Sequence, residues 1–366
     1  MQESINQLDE LDYLLITALQ VAPRADWQTI GAALGVDATT ASRRWARLEQ
    51  SGNAWMSSRA TRLERRSAQG AAIEVHCAPG RVHEIARSIG NDEHVLNLEH
   101  LSGRRNLLVM AIVTDLAQLA RYRDLRLAEI PGVTGLEAQP LTTVHADAGQ
   151  WRLDRLDDHK LKRLAPLDRL RSDYPPARAV HDRDLPLANA LSDDPRASLA
   201  QLATLTGLST PTVRRRLAGL EADGALTYRI EVARAVSGWP IGAALWCTTD
   251  PANTTRIARE LAQLRETRMC AELTGPHNLL LQVWLRSVDD LAGFEKRLGE
   301  RIPGLTIADR AVTLWPVKLG GHLLDPQGRH LRAVPLRLWN DDEFIARERD
   351  AVALLAGDTS AGDRFS

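Results

Sequence analysis

Apolar residues recur at helical spacing through the first fifty residues and predict three helices followed by a strand. The first helix is expected over 8–20, and Asp26 is suited to cap a second helix that ends at Leu34. A third helix follows, and Gly52 fits the position just beyond its end. Residues 54–60 are expected to form a strand that leads out of this helical unit.

The pattern changes after residue 70, where short alternating or continuous apolar runs are separated by two further helical segments. Pro79 is expected to open the first of these helices, and Asp115 to cap the second, which runs to Ile130. Strands are predicted over 71–76, 95–101, 106–113 and 133–144. The order β-α-β-β-α-β is that of a ferredoxin-like domain with both helices on one face of the sheet.

The stretch 35–49 recurs 172 residues later as 207–221, and the same offset holds without a gap over most of the chain. Ile130-Pro131-Gly132, for example, is matched by Ile302-Pro303-Gly304. A repeat this long exceeds a solenoid unit and indicates a two-part module that was duplicated and fused. The predicted fold class is α+β, with two winged-helix-like helix-turn-helix domains and two ferredoxin-like βαββαβ domains in tandem.

This organisation predicts six regions along the chain. They are a first helix-turn-helix domain (1–60), a first ferredoxin-like domain (70–146), a linker (147–180), a second helix-turn-helix domain (181–234), a second ferredoxin-like domain (241–318) and a C-terminal extension (319–366). The extension is expected to hold a docking helix within 336–355 and a disordered end.

The stretch 207–221 reads as the turn and recognition helix of a helix-turn-helix. Ser209 can cap the helix, and Pro211 fits its first turn, where the missing N–H costs little. One face is apolar and is expected to be buried, as shown by Val213, Leu217 and Leu220. The outward face carries hydroxyl groups and arginines, which suit a DNA major groove.

Charge supports this interpretation locally, because the net charge of the whole chain is only −1. Both proposed recognition helices begin arginine-rich stretches, where attraction to phosphates is needed. The alternative is a pair of solvated helix faces that carry arginine by chance. The candidate DNA contacts are Thr39, Thr40, Ser42, Arg43, Arg44 and Arg47 in the first copy, and Thr210, Thr212, Arg214, Arg215 and Arg216 in the second.

Three cysteines without a CxxC pair read as small buried hydrophobes in a reducing compartment. No signal peptide and no apolar run near the ~18 residues of a membrane span are found. The sequence therefore predicts a cytoplasmic protein without membrane contact, and it suggests no cofactor and no metal.

A helix-turn-helix followed by a β-α-β-β-α-β domain resembles the Lrp/AsnC family of bacterial transcription regulators. The motifs that carry this resemblance are Leu11-Asp12, Ser42-Arg43-Arg44, Arg47-Leu48-Glu49, Gly207-Leu208-Ser209, Arg215-Arg216 and the two Ile-Pro-Gly turns. The resemblance implies binding to double-stranded DNA. It also implies a second domain that dimerises and binds an amino acid or a related small molecule.

The ligand loop of that family commonly reads Gly-x-x-Asp, and here it reads Gly-x-x-Asn in both copies. The resemblance makes Gly103, Asn106, Gly275 and Asn278 the candidate effector-binding residues. Asparagine cannot pair ionically with an α-ammonium group, which weighs against an amino acid as the effector. Alternatively, Gly-x-x-Asn is simply a good hairpin turn.

Because the family dimerises through its second domain, two copies in one chain suggest an intramolecular pseudo-dimer, which can assemble further into homo-oligomers. Two recognition helices related by a two-fold axis (called the two readers below) bind half-sites that lie one turn of the DNA helix, or multiples of it, apart. The two reading faces differ in sequence, so an asymmetric operator is expected.

The sequence is also compatible with two other functions. Siroheme decarboxylases resemble the same combination of domains, also occur as fused pairs, and use histidine and arginine around a tetrapyrrole. The histidines available for such a role are His76, His83, His94, His100 and His277, none of which recurs at the 172-residue offset. The third possibility is a helix-turn-helix kept only for protein interactions, which would show no salt-dependent DNA binding.

Overall fold

The fold was analysed in a computed structural model of the 366-residue chain. It describes residues 8–60, 69–147, 151–164 and 180–355. Three predicted features lie wholly or partly outside these ranges. They are residues 62–66 of the first basic stretch, most of the linker, and the C-terminal tail. Within them, no helix combines the length and apolarity that crossing a bilayer requires.

The first helical unit follows the predicted pattern closely. Asp26 accepts a hydrogen bond from the Thr29 amide (2.7 Å) at the start of the second helix. Gly52 has φ +70°, a left-handed conformation that allows the chain to turn after the third helix. The elements are α1 (Glu10–Val21), α2 (Trp27–Leu34), α3 (Ala38–Gln50) and β1 (Ala54–Ala60).

The first β-α-β-β-α-β unit has the predicted order, with two differences in its helices. The helix expected after Pro79 begins at Val82, and the helix capped by Asp115 changes into a π-helix over Tyr122–Leu127. The elements are β2 (Gln69–Cys77), α4 (Val82–Gly90), β3 (Val95–Leu101), β4 (Leu107–Val113), α5 (Leu116–Arg121) and β5 (Val133–Ala146). The strands lie in the order β3-β4-β2-β5.

The described part of the region between the units, 151–164, packs against the helical units. Trp151, Leu153 and Leu164 are buried, and the Leu153 amide donates a hydrogen bond to the side-chain oxygen of Gln20 (2.9 Å). This segment ends in helix α6 (Asp158–Leu164).

The second half repeats the element order of the first. Its elements are α7 (Leu185–Asp193), α8 (Leu199–Thr206), α9 (Thr210–Ala222), β6 (Leu226–Val232), α10 (Arg234–Ser237), β7 (Ile241–Thr248), α11 (Thr254–Ala262), β8 (Thr267–Leu273), β9 (Leu279–Leu285), α12 (Asp290–Arg301) and β10 (Thr306–Leu319). The sheet strands lie in the order β8-β9-β7-β10, which is equivalent to that of the first half.

The two four-stranded sheets join at both edges and close into an eight-stranded ring. Strand β5 pairs with β8, and β10 pairs with both β7 and β3. The two junctions have the same register, since Leu141 lies opposite Leu273 and Thr313 lies opposite Leu101. The helices pack outside the ring, while a separate cluster of buried residues from both halves fills its interior.

The helical units are also joined to each other. Strands β1 and β6 form a two-stranded antiparallel sheet, referred to below as the wing sheet, in which Ala54 lies opposite Val232 and Ala60 opposite Leu226. Arg24 donates to the carbonyl oxygens of Pro195 and Ala197. Arg196 donates to those of Pro23 and Ala25. The side chains of both units belong to one hydrophobic core.

The C-terminal segment packs on the first half of the ring. It contains β11 (His322–Leu324), β12 (His330–Ala333) and α13 (Asp342–Leu355). Arg121 forms ion pairs with Asp341 (2.7 Å) and Glu348 (2.8 Å) that hold this segment against α5. A helix was expected within 336–355, and it begins six residues later than the start of that window.

Candidate nucleic-acid interface

Helix α3 presents one buried face and one exposed face. Ala41, Trp45 and Leu48 are buried against the rest of the helical core. Asp37 caps the helix by accepting hydrogen bonds from both the amide and the hydroxyl of Thr40 (2.7 Å each). These bonds hold the pKa of Asp37 below its usual value, so the cap stays ionised at neutral pH.

Helix α9 repeats this arrangement with different cap chemistry. Val213, Leu217 and Leu220 are buried, which confirms the predicted apolar face. Ser209 caps the helix by accepting from the Thr212 amide (3.4 Å), and the two hydroxyl groups lie 2.9 Å apart.

The eleven candidate DNA contacts fall into three groups. Thr39, Arg43, Arg214 and Arg215 are exposed, and Thr210 is half-buried at the start of α9. Thr40, Thr212 and Ser42 make hydrogen bonds within the first turns of their helices. The remaining three, Arg44, Arg47 and Arg216, are engaged by carboxylates at the start of the first helix in each unit.

Those carboxylates occupy equivalent positions in the two halves. Asp12 is nearly fully buried and binds Arg44 (2.8 Å) and Arg47 (2.5 Å), while Asp184 binds Arg216 (3.2 Å). Hydrogen bonds to Asp9, and then to Asp12, raise the pKa of Arg44 above its ordinary value. These ion pairs fix each recognition helix against the start of the first helix of its unit.

The arginines that remain on the outer faces are Arg43, Arg214 and Arg215. None of the three forms an ion pair with another described residue. Each is therefore free to move its guanidinium group toward a phosphate or a base edge.

The candidate effector residues lie in the β3–β4 and β8–β9 hairpins. Gly103 (φ +82°) and Gly275 (φ +116°) are in the left-handed region that the turns require. Asn106 accepts a hydrogen bond from the Cys77 amide (2.7 Å), and Asn278 accepts from the Thr249 amide (2.9 Å). Both asparagines therefore tie their hairpin to the end of a neighbouring strand, a role that agrees with the hairpin-turn alternative.

The five histidines considered for tetrapyrrole chemistry occupy separate surroundings. His94 is buried between Tyr122 and Trp339, and burial lowers its pKa to about 3. The rings of His83 and His100 lie 6.1 Å apart beside Trp315 on the outside of the ring. His76 lies on β2 beside the β3–β4 hairpin, where its Nδ1 atom is 3.1 Å from the Arg104 carbonyl oxygen, and His277 lies in the β8–β9 hairpin.

Sequence reasoning missed the acidic partners Asp12 and Asp184 and the reciprocal arginines Arg24 and Arg196. All four recur at the 172-residue offset. A carboxylate inside an otherwise apolar helix face was the available signal for the first pair, because such a group is seldom buried without a partner.

Comparison with known families assigns three segments of the chain. An AsnC-type helix-turn-helix domain model matches residues 8–49 and again 182–221. An Lrp/AsnC ligand binding domain model matches residues 70–145.

Curated relatives include the HTH-type transcriptional regulators LrpA of Pyrococcus abyssi and of Pyrococcus horikoshii. Each is 26% identical over 140 residues, which cover 38% of this chain and 99% of the relative. Among solved structures, the siroheme decarboxylase NirDL in complex with an iron-uroporphyrin III analogue is similar with a TM-score of 0.55 and 12% identity. That match covers 95% of this chain and 100% of the other, and at this identity it shows a shared fold alone.

The two matched helix-turn-helix segments contain α3 and α9, the helices with the exposed arginines. The ligand-binding match covers the first of the two β-α-β-β-α-β units. The chain therefore contains two AsnC-type helix-turn-helix domains and an Lrp/AsnC ligand binding domain.

Proposed function

We propose that the protein is a sequence-specific regulator of transcription that binds double-stranded DNA through α3 and α9. The observation that carries the proposal is the presence, on both helices, of exposed arginines that no described carboxylate neutralises. A basic helix front with a buried apolar back is the form in which a helix-turn-helix enters a major groove. The similarity to the LrpA regulators supports the same conclusion.

One chain supplies both readers in this proposal, so that a single polypeptide acts as an intramolecular pseudo-dimer. The wing sheet and the reciprocal Arg24 and Arg196 contacts support a fixed separation of the two readers. The proposed domain boundaries are those expected from the sequence. Further assembly of such chains into homo-oligomers, as the family resemblance implies, is part of the proposal.

The predicted contacts divide into two roles. We infer that Thr39, Arg43, Thr210, Arg214 and Arg215 reach the DNA directly. Arg44, Arg47 and Arg216 orient their helices through Asp12 and Asp184, and Thr40, Ser42 and Thr212 stabilise the helix starts. The polar groups of these six residues that stay accessible can still contact phosphates.

The test begins with selection of a binding site from random duplex DNA by the full chain, followed by footprinting. Arg43→Ala is expected to weaken protection of one half-site, and Arg215→Ala that of the other, because each helix reads its own sequence. Arg256→Ala, which removes an exposed arginine on α11 and not on a recognition helix, is the control for loss of charge. If both variants weaken the same half-site, or neither weakens any, the proposal fails.

Salt dependence distinguishes DNA binding from a helix-turn-helix used only for protein contacts. Each lost phosphate contact is expected to reduce the slope of log K against log salt by about 1. A chain that shows no salt-dependent affinity for any duplex would support the protein-interaction alternative.

Modulation by a small molecule completes the proposed function. The roles of Gly103, Asn106, Gly275 and Asn278 in effector binding stay a prediction, which Gly103→Ala and Asn106→Ala can test in a ligand-dependent DNA-binding assay. Loss of the ligand response with unchanged DNA affinity would support it.

The second candidate is a siroheme-decarboxylase-like enzyme, favoured by the fold shared with NirDL over nearly the whole chain. Anaerobic incubation with siroheme, followed by mass spectrometry, tests it directly. Loss of CO2 from the tetrapyrrole would reverse the ranking of the two candidates, whereas unchanged siroheme would leave the regulator as the proposal.

A further inference from the structure

A cavity of about 900 Å³ lies at one end of the eight-stranded ring, between the ring and the wing sheet. Its floor is apolar and includes Met110, Leu141 and Met269, and Trp284 forms part of one wall. This volume lies within the range of small-molecule sites, which are commonly lined by apolar groups with a few polar ones. An eight-stranded ring is wide enough to hold one small ligand.

Three buried arginines surround this cavity. Arg229 comes from the wing sheet, Arg268 from β8, and Arg234 from the start of α10. They are 8%, 5% and 7% exposed, respectively. Arg229 and Arg268 line the cavity directly, and the Arg234 guanidinium packs against Gly242, which also lines it.

The hydrogen-bonding capacity of these arginines is only partly used. Arg268 is satisfied, because it donates to both oxygens of Glu231 (3.1 and 2.9 Å) and lies 3.8 Å from the ring centroid of Trp284. Arg229 shares the same carboxylate. The Nη2 atom of Arg229 and the Nε and Nη1 atoms of Arg234 have no hydrogen-bond partner among the described residues.

The local charge is also unbalanced. The carboxylates near the three arginines are Glu231, which two of them share, and Glu99, which also lines the cavity. Glu99 accepts hydrogen bonds from Thr313 (3.0 Å) and Gln282, and burial raises its pKa. A third carboxylate at the mouth, Asp147, pairs with Arg59 (2.6 Å). Buried guanidinium N–H groups without partners are costly, and an anion would satisfy them.

We propose that this cavity binds one small organic anion per chain, whose carboxylate or phosphate group is received by Arg229 and Arg234. The apolar part of the ligand would pack on Met110, Leu141 and Trp284. Arg229 belongs to the wing sheet that joins the two helical units, so the ligand bridges the ring and the DNA-binding half of the molecule. This coupling rests on the proposed DNA binding, whereas the binding of the anion does not.

The stoichiometry follows from divergence of the two halves. At the positions 172 residues earlier, Arg229 and Arg268 are replaced by Ser57 and Leu96. Arg234 alone is matched by an arginine, Arg62, which lies outside the described residues. The first half therefore lacks two of the three arginines, and one binding event per chain is expected in calorimetry.

Thermal unfolding of the full chain tests the proposal, with citrate as the carboxylate probe and pyrophosphate as the phosphate probe. Each is compared with sodium chloride at equal ionic strength. At about 10 mM, at least one probe is expected to raise the Tm of the wild type by ~2 °C or more. The probe with the larger effect identifies the preferred anionic group.

The decisive comparison is among variants, because such anions also stabilise proteins non-specifically. The ligand-dependent shift should be lost in Arg234→Met and in Arg229→Met but retained in Arg256→Met, which removes an exposed arginine of α11. Each shift is taken from the variant's own Tm in chloride, because Arg234→Met removes a buried charge and also the cation whose field acts on Glu99. Equal shifts in all four proteins, or no shift with either probe, would overturn the proposal.

The coupling is measured separately, as the affinity for the selected duplex with and without the effective anion at constant ionic strength. A change of about five-fold or more in the wild type, absent in Arg234→Met, is expected. An unchanged affinity in a protein that binds the anion would overturn the coupling alone. Failure to bind any duplex would instead count against the proposed function and leave the anion site standing.

Discussion

Strands β1 and β6 pair with each other in a self-complementary register, whereas α3 and α9, which precede them, carry different exposed residues. The same contrast holds in the ring, where the two junctions are equivalent but Arg229 and Arg268 of the cavity have no arginine counterpart in the first half. Residues that join the halves have been kept in pairs, and many that face the cavity or solvent have diverged. The pairing of the halves is thus a structural constraint, while their outer faces and the cavity are not constrained to be alike.

The two halves differ in the side chains that they place inside the ring. A substitution there should have the largest effect on the free energy of unfolding. Trp246 is 1% exposed and stands where the first half has Glu74. Arg105 lies 4.3 Å from the Trp246 ring centroid and pairs with Glu74. Trp246→Ala should destabilise the protein by about 3–5 kcal/mol through loss of burial and a cavity, as measured by urea unfolding.

Trp315→Ala provides the comparison, because Trp315 is only half-buried on the outside of the ring. Trp315→Ala should lower the free energy of unfolding by clearly less than Trp246→Ala does. A smaller effect of Trp246→Ala than of Trp315→Ala would show that the two halves do not depend on this interior contact.

The reciprocal contacts between the helical units should be nearly equal in energy. Arg24→Ala and Arg196→Ala each remove two charge-assisted hydrogen bonds to backbone carbonyls, and each should cost about 1.5–3 kcal/mol. Burial lowers the pKa of Arg196 to about 10, so it stays charged at neutral pH. The loss of unfolding free energy is measured for each variant by urea unfolding. Losses that differ by more than twofold would show that the interface is not symmetric.

The acid sensitivity that arises at His94 should be confined to the first half, because the counterpart of His94 is Glu266. Burial lowers the pKa of His94 from 6.5 to about 3, so the unfolded chain binds a proton that the folded chain does not. The resulting stability is complete above pH 6.5 and is lost as the pH falls toward 3. At pH 5 the loss from this group is about 2 kcal/mol.

His94→Phe preserves the packing between Tyr122 and Trp339 and should reduce the difference in unfolding free energy between pH 7 and pH 5 by that amount. His322, whose pKa burial also lowers to about 3, would retain its own share of the acid sensitivity. An unchanged pH dependence in His94→Phe would contradict the assignment.

The smallest effects on stability are expected on the divergent reading faces. Arg43→Ala and Arg215→Ala remove exposed side chains without described ion pairs, so each should change the free energy of unfolding by less than about 0.5 kcal/mol. Calorimetric melting of both variants checks this expectation. A larger loss would mean that these arginines support the fold, and footprints obtained with the variants would then need a different explanation.

The sequence predicted the local elements well because their signals are local. Asp37 and Ser209 fix where α3 and α9 begin, and the apolar spacing fixes which face is buried. The apolar pattern also predicted the order of elements in the first half. The exposed or engaged state of each arginine was not predictable, because it depends on carboxylates about 30 residues away, such as Asp12 and Asp184.

Closure of the ring and pairing of the wing sheet required contacts between strands more than 100 residues apart, which no local pattern encodes. The cavity was not predicted either. A usable signal was the presence of polar residues among the apolar residues of three strands, namely Glu99, Arg268 and Gln282. The C-terminal strands β11 and β12 were missed because each has only three or four residues.

Closure of the ring within one polypeptide has a consequence for concentration. A regulator made of separate subunits loses one reader when it is diluted below its subunit dissociation constant. Here β10 and β3 share a covalent chain, so they meet at an effective concentration that dilution does not change. In the proposed pseudo-dimer, the two recognition helices would therefore stay together at any protein concentration, whatever further assembly follows.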